Sequence, residues 1–288
     1  KQHDPSILTI AGGPMVTSHA ELVIDYLGAD YGILGEGEEV TFNLLNAIQN
    51  GEGVSGIQGI AYKNDGKYIE TPEAPRIADL DALPLPDFEG FEYSYYLDNF
   101  EFDDQKQVLR DQIRRSYVTG SRDCPAKCTF CFRTMGGDYV TRSVDNIVEE
   151  VRYLQKHYNI NQIELNDEIF SVNKSRVYEF CDKIEKLKMP WSAQIRVNMI
   201  NKALIQRMKE AGCSQISYGL ESASKSVLKS MKKGVRVDQI ENALKVTRDA
   251  KITIQGNWIF VYGEYSISWL TSKPFIGGLI IFFIGMYI

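Results

Sequence analysis

The chain has 288 residues, 44% hydrophobic and 24% charged, a balance that supports a sizeable core and argues against intrinsic disorder. Its net charge of −6 lacks the basic excess of a duplex-binding surface, so nucleic acid is not expected as a partner. The length allows one large domain or two modest ones, and from the polar start Lys1-Gln2-His3-Asp4 no secretory leader is expected.

In chain order, Ile7–Ile10 already reads as a strand, so the expectation is a chain that begins inside a domain. The run ends in Gly12-Gly13-Pro14, a turn. "HAELVIDYLG" has helical spacing and stops at Gly28. "YGILGEGEE" is a short strand closing in the glycine-rich Gly35-Glu36-Gly37. "TFNLLNAIQNG" is a second helix, and two β-rich runs around Asn64-Asp65-Gly66 read as a hairpin. Residues 75–110, rich in proline and acid, read as a linker between a first domain at 1–74 and a second at 111–264.

From Arg115 the pattern turns regular. "RSYVTG", "QIELN", "WSAQIRV", "QISYGL" and "ITIQGNWIFV" read as strands. Between them lie helices whose first turns follow Ser143, Asn173 and Asn201, all good N-cap residues. Five strands alternating with helices imply an α/β fold with a parallel sheet, doubly wound or a partial or full barrel. Residues 265–288 form an apolar tail, but its uninterrupted part, Pro274 to Ile288, is shorter than the ~20 residues of a spanning helix. It reads as a buried or artefactual end, and a membrane is not expected as a partner.

The chain has five cysteines, three of them spaced C-x-x-x-C-x-x-C at Cys124, Cys128 and Cys131. An odd count with a tight cluster favours metal ligation over a disulfide framework. Cys181 and Cys213 fit buried, inert positions. Structural zinc wants a fourth ligand, and none of His3, His19 or His157 has finger-like spacing from the cluster. An electron-transfer cluster wants four thiolates. A third metal reading is a 4Fe–4S cluster held at three irons, its fourth open to substrate, and the bland alternative is three buried or incidental cysteines. In barrels the chemistry sits at the C-terminal ends of strands. Asp167 and Glu168 end the second strand here, Arg196 lies near the end of the third, and Glu221-Ser222 ends the fourth. Each also has a structural reading: a solvated loop charge for Asp167 or Glu168, an ion pair for Arg196, a helix N-terminal charge for Glu221.

The cysteine motif, with Phe130 in its aromatic place, resembles the signature of the radical S-adenosylmethionine (radical SAM) superfamily. "RSVDNIVEEVRYL", "IELNDEIF", "WSAQIRVN", "MKEAGCSQISYGLES" and "VLKSMKKGV" resemble successive blocks of its core, in order, over about 115 to 262. The resemblance implies a partial (β/α)6 TIM-like barrel, incomplete here because the text after Glu264 departs from the family pattern. It implies cluster ligation by the three cysteines, with SAM chelating the open iron and contacting Phe130, Asp167, Glu168, Arg196, Glu221 and Ser222. No catalytic residue beyond the cofactor ligands is assigned. Arg196 suits the methionine carboxylate, since a guanidinium fork matches it bidentately.

The segment 1–74 resembles the C-terminal part of a Rossmann-like cobalamin-binding domain, which implies that Gly12, Gly13, Pro14, Gly35, Glu36 and Gly37 approach cobalamin. Two departures stand against it: the Asp-x-His-x-x-Gly motif that such families often carry in the upstream half is not within these residues, and Met15 stands where a histidine commonly follows Gly-Gly-Pro. The implied enzyme is cytoplasmic, cleaves SAM reductively with electrons from a flavodoxin- or ferredoxin-like donor, and transfers a methyl group to carbon of a small molecule. The alternatives are a radical cyclase of the tetrapyrrole type, or a non-catalytic iron–sulfur or zinc module.

Overall fold

The computed structural model describes residue 4 and residues 6–99, 113–133, 138–259 and 286–287. Its internal contacts divide the chain into two compact units, residues 1–78 with 132–136, and residues 79–131 with 137–288.

The smaller unit is built on β1 (Ile10–Ala11), α1 (Pro14–Leu27), β2 (Tyr31–Ile33), α2 (Glu38–Asn50), β3 (Ile60–Asn64) and β4 (Lys67–Glu70). β1 and β2 are parallel; β3 and β4 add antiparallel, in the order β1-β2-β3-β4. Both helices stop at a left-handed glycine, Gly28 at φ 63° and Gly51 at φ 69°. The hairpin turns at Asp65-Gly66, both with positive φ, as a two-residue loop between twisted strands requires.

The larger unit begins with α3 (Tyr93–Asn99) and continues through β5 (Arg115–Val118), β6 (Ser121–Arg122), β7 (Val140–Thr141), α4 (Val144–Tyr158), β8 (Gln162–Leu165) and α5 (Lys174–Ile184). It then runs through β9 (Trp191–Ile195), α6 (Lys202–Glu210), β10 (Cys213–Glu221), α7 (Lys225–Ser230), α8 (Val237–Asp249), β11 (Thr253–Trp258) and β12 (Met286–Tyr287). β5, β8, β9, β10 and β11 form a parallel sheet in chain order, and β12 adds antiparallel beyond β11. β6 and β7 pair as a separate ribbon. Among the described residues the sheet is open: β5 and β12 are its edges.

Local chemistry sets the helix starts. The side chains of Ser143, Asn173 and Asn201 accept from the N–H groups of Asn146, Arg176 and Leu204. Each cap contributes about 1 kcal/mol. α4 buries Val144, Ile147, Val148, Val151 and Leu154 at helical spacing against the sheet. Phe180 meets Phe170 and Trp191 edge-on, each with ring centroids 5.1 Å apart, and Trp191 Nε1 donates to Ala211 O. Cys181 and Cys213 are buried in this core. Burial pushes the Cys181 thiol up to about 12 and raises that of Cys213 as well.

Residues 79–99, linker-like in composition, belong to the larger unit. Phe88 is buried there, with ring contacts to Tyr93, Tyr153 and Tyr158. The apolar tail lies outside the described residues except for Met286–Tyr287. Among the described residues no helix is long and apolar enough to cross a membrane.

Candidate cofactor site at the strand ends

The cysteine loop leaves β5 through Gly120, and that point is clamped. Gly120 N–H donates to Asp167 Oδ1 and Ser121 Oγ–H to Asp167 Oδ2, both at 2.6 Å. Arg176 Nη2 donates to Gly120 O at 2.7 Å, and its guanidinium lies 5.2 Å from the Phe170 ring centroid. Position 120 has no room for a side chain: a Cβ would stand 2.8 Å from Ile147 Cδ1, 3.1 Å from Arg176 Nη2 and 3.2 Å from Asp167 Oδ1. Asp167 is buried, which raises its carboxyl above the usual range against the pull of these donors and of Arg176. The structure therefore places Asp167 beneath the loop, with both oxygens engaged by its backbone and first side chain.

Past a left-handed Asp123, the loop presents Cys124 half-buried, Cys128 buried and Cys131 exposed, all as free thiols. Cys131 donates a hydrogen bond to Cys128, which, with the positive charges of Lys233 and Arg196, lowers the Cys128 thiol to about 6 against the effect of burial. The same bond raises Cys131, and burial raises Cys124. One thiolate is thus favoured at neutral pH, the form that binds metal. Among the described residues no three His, Cys, Asp or Glu side chains converge as a single-ion site requires. A cuboidal cluster takes one thiolate per iron, so its ligands sit at separate corners and need no such convergence. The donor set fits that group: three soft sulfur ligands on one loop, flanked by cations that balance thiolate charge.

The cationic flank comes from two later strand ends. Arg196, following β9, is buried and donates through Nη2 to Lys233 O, while its Nε is buried with no hydrogen-bond partner among the described residues. Glu221 ends β10 in the left-handed region at φ 59°, where the ladder to β11 shifts register. Its Oε1 accepts from Lys233 Nζ at 2.6 Å, with both side chains less than a tenth exposed. Lys233 Nζ also lies 5.4 Å from the Phe130 ring centroid. The structure thus brings Phe130, Arg196 and Glu221 together beside the cysteines. Glu168 acts on Cys124 through its charge, and Ser222 sits in the turn before α7, its Oγ accepting from Ser224 N–H. Lys233 is the residue that sequence reasoning missed. Its signal was a Lys-Lys-Gly turn between two helices, which carries no hint of its partner twelve positions earlier.

In the smaller unit, Gly12-Gly13-Pro14 and Gly35-Glu36-Gly37 follow the parallel strands β1 and β2, so both loops lie at the carboxyl edge where open α/β sheets take ligands. Gly13, at φ 94° and ψ −177°, adopts a glycine-only conformation, and a Cβ there would meet nothing within 4 Å. Pro14 opens α1. The Glu36 carboxylate accepts from Ile77 N–H at 2.6 Å and faces Arg76 at 3.7 Å.

Residues 118–266 match the family model described as the radical SAM superfamily, more than half of the chain. The chain belongs to the radical SAM superfamily. Among its relatives is an uncharacterized methyltransferase of Pyrococcus horikoshii, 31% identical over 92% of this chain and 56% of that protein. Another is the anaerobic magnesium-protoporphyrin IX monomethyl ester cyclase of Rubrivivax gelatinosus, 28% identical over 90% of this chain and 46% of the relative. This radical SAM chain therefore spans about half the length of those relatives. The solved structure of the radical SAM methyltransferase TsrM from Kitasatospora setae, with cobalamin and a [4Fe-4S] cluster bound, superposes with a TM-score of 0.68. It covers 87% of this chain and 51% of that one at 17% identity, a likeness of fold.

Proposed function

We propose that the chain carries a 4Fe–4S cluster on Cys124, Cys128 and Cys131 and cleaves S-adenosylmethionine reductively, in the service of cobalamin-dependent methyl transfer to carbon of a small molecule. The carrying observation is the pairing of a three-cysteine loop with a buried Arg196 beside it whose Nε has no hydrogen-bond partner among the described residues. When bound, such a cluster would supply the single electron that splits SAM at a carbon–sulfur bond into methionine and a 5′-deoxyadenosyl radical. The protein's part is placement. Asp167 and Arg176 fix where the loop leaves the sheet. The free Arg196 Nε offers a charged donor to the methionine carboxylate. Glu221, aimed by its left-handed backbone, offers a carboxylate to the ribose hydroxyls or the ammonium, with Lys233 compensating its charge. Phe130 on the cysteine loop, Glu168 after β8 and Ser222 after β10 complete the proposed set.

Cobalamin would sit on the glycine loops of the smaller unit, and their place at the carboxyl ends of the parallel strands β1 and β2 is the observation that favours it. The methyltransferase among the relatives supports methyl transfer; the cyclase supports radical closure of a tetrapyrrole side chain as the second reading. The electron is drawn from a flavodoxin- or ferredoxin-like donor in the cytoplasm, where free thiols such as these persist. Anaerobic reconstitution tests the proposal. It should yield about four irons per chain, a spectrum that changes on adding SAM, and 5′-deoxyadenosine after reduction. Alanine at Cys124, Cys128 or Cys131 should abolish SAM cleavage, while Cys181→Ala should leave it intact. Stoichiometric zinc, or a cluster indifferent to SAM, would refute it.

A further inference from the structure

We propose that the lysine face around α7 is the docking surface for an acidic one-electron donor protein. This rests on the reading above, since a reductive cleavage is what requires a donor. The inner side of α7 is fixed by buried Leu228, with buried Met231 just past its end. The outer side carries Lys225 and Lys229, four residues apart and so on one face, and Lys232 follows the helix. All three are exposed, and with Arg236 they line one open hollow of about 590 Å3. None of the three lysines has an ion pair among the described residues. The single carboxylate lining the hollow, Asp238, is held by the Arg236 guanidinium at 2.7 and 2.9 Å. Like charges four apart destabilise a helix by a few tenths of a kcal/mol. Lys229 in the last turn suits the helix dipole and Lys225 acts on Asp238 through its charge, but Lys232 has neither role, and a chain of net charge −6 has no general cationic excess to gather three lysines on one face. Unpaired cations gathered on one face are what electrostatic recognition of an acidic partner uses.

Position selects the partner. Thr129, between Cys128 and Cys131, donates its N–H to Met231 O at 2.9 Å, and its Oγ1 reaches Ser230 O at 3.4 Å. The lysine face therefore abuts the cysteine loop, whose Cys131 is exposed. Arg196 and Glu221, the groups suited to SAM, are buried at the strand ends, whereas the lysines face outward. A partner seated on them stands beside the solvent edge of the cluster site, where an electron must enter. The step is a single electron transfer: the donor is oxidised by one electron, the cluster reduced by one, and no bond is made or broken.

The test uses the reconstituted full chain and the triple variant Lys225→Glu/Lys229→Glu/Lys232→Glu. Reduced flavodoxin serves as the acidic donor and photoreduced 5-deazariboflavin as an uncharged one, with cluster reduction followed by EPR. The Kd for oxidised flavodoxin is measured in parallel by calorimetry. At low salt the variant should lose about tenfold or more in both flavodoxin rate and affinity. Its rate with deazariboflavin should match wild type, and the wild-type advantage should shrink as ionic strength rises. Unchanged flavodoxin kinetics and affinity in the variant would overturn the proposal. So would an equal loss with deazariboflavin, or saturable binding of inorganic phosphate by a wild type that ignores flavodoxin. A cluster that flavodoxin reduces but that never cleaves SAM refutes the enzymatic reading instead and leaves the docking result standing.

Discussion

Replacing Lys233 by Met strips the charge partner from Glu221 at a site where both side chains are less than a tenth exposed. Breaking a buried pair from one side leaves an uncompensated charge and costs about 3–5 kcal/mol, more than the pair itself is worth. The carboxylate has little freedom to escape, since Glu221 is held left-handed at the register shift of β10. Gly219 lies so near the pair that a Cβ there would come within 2.6 Å of Glu221 Oε1 and 2.8 Å of Lys233 Nζ. The double variant Lys233→Met/Glu221→Gln removes both charges and should recover most of the loss, a coupling of about 2 kcal/mol or more. Urea unfolding followed by tryptophan fluorescence is the assay, because the described tryptophans, Trp191 and Trp258, both lie in the larger unit. With a slope of about 2–3 kcal/mol per molar urea, Lys233→Met should lower the midpoint by about 1–2.5 M. A single variant within 0.5 kcal/mol of wild type, or a double variant no better than the worse single, would refute the view that this pair is buried and mutually dependent.

Two further outcomes test the frame around the site. Gly120→Ala forces a methyl into Ile147, Arg176 and Asp167 and should cost about 1–3 kcal/mol by overpacking; the displaced loop should retain less iron on desalting, and full iron retention would sink the clamp. Cys181 is raised to about 12 by burial from an ordinary value of 9.0, so its contribution is complete below pH 9 and lost as pH climbs toward 12. Between pH 8 and 10 that thiol should remove about 1.4 kcal/mol of stability, so Cys181→Ala should flatten the alkaline decline by this amount, and parallel pH curves for the two proteins would count against it.

What could be read from the sequence was local. Ser143, Asn173 and Asn201 cap their helices as read because capping involves residues three apart. The Asp65-Gly66 turn and the alternation of strands and helices are likewise short-range. The placement of 79–99 was not legible, because Phe88 is buried by Tyr153 and Tyr158, more than sixty positions away. At the site, Asp167 was visible as a strand-end acid. Its grip on Gly120 and Ser121 required the β5–β8 pairing to bring them together. Lys233 was invisible for the same reason: its meeting with Glu221 is arranged by a bulge and by the turn between α7 and α8.

The anchoring of the cysteine loop has a consequence for transplantation. Between the cysteines, Pro125 and Lys127 face outward, so part of the motif's own text is replaceable. The fixtures that hold it lie elsewhere: Asp167 after β8, Arg176 on α5 and the Met231 carbonyl after α7. A twelve-residue graft into another scaffold would carry the ligands and leave behind what sets their spacing. The smallest portable unit runs from β5 through Met231, more than a hundred residues for three sulfur atoms.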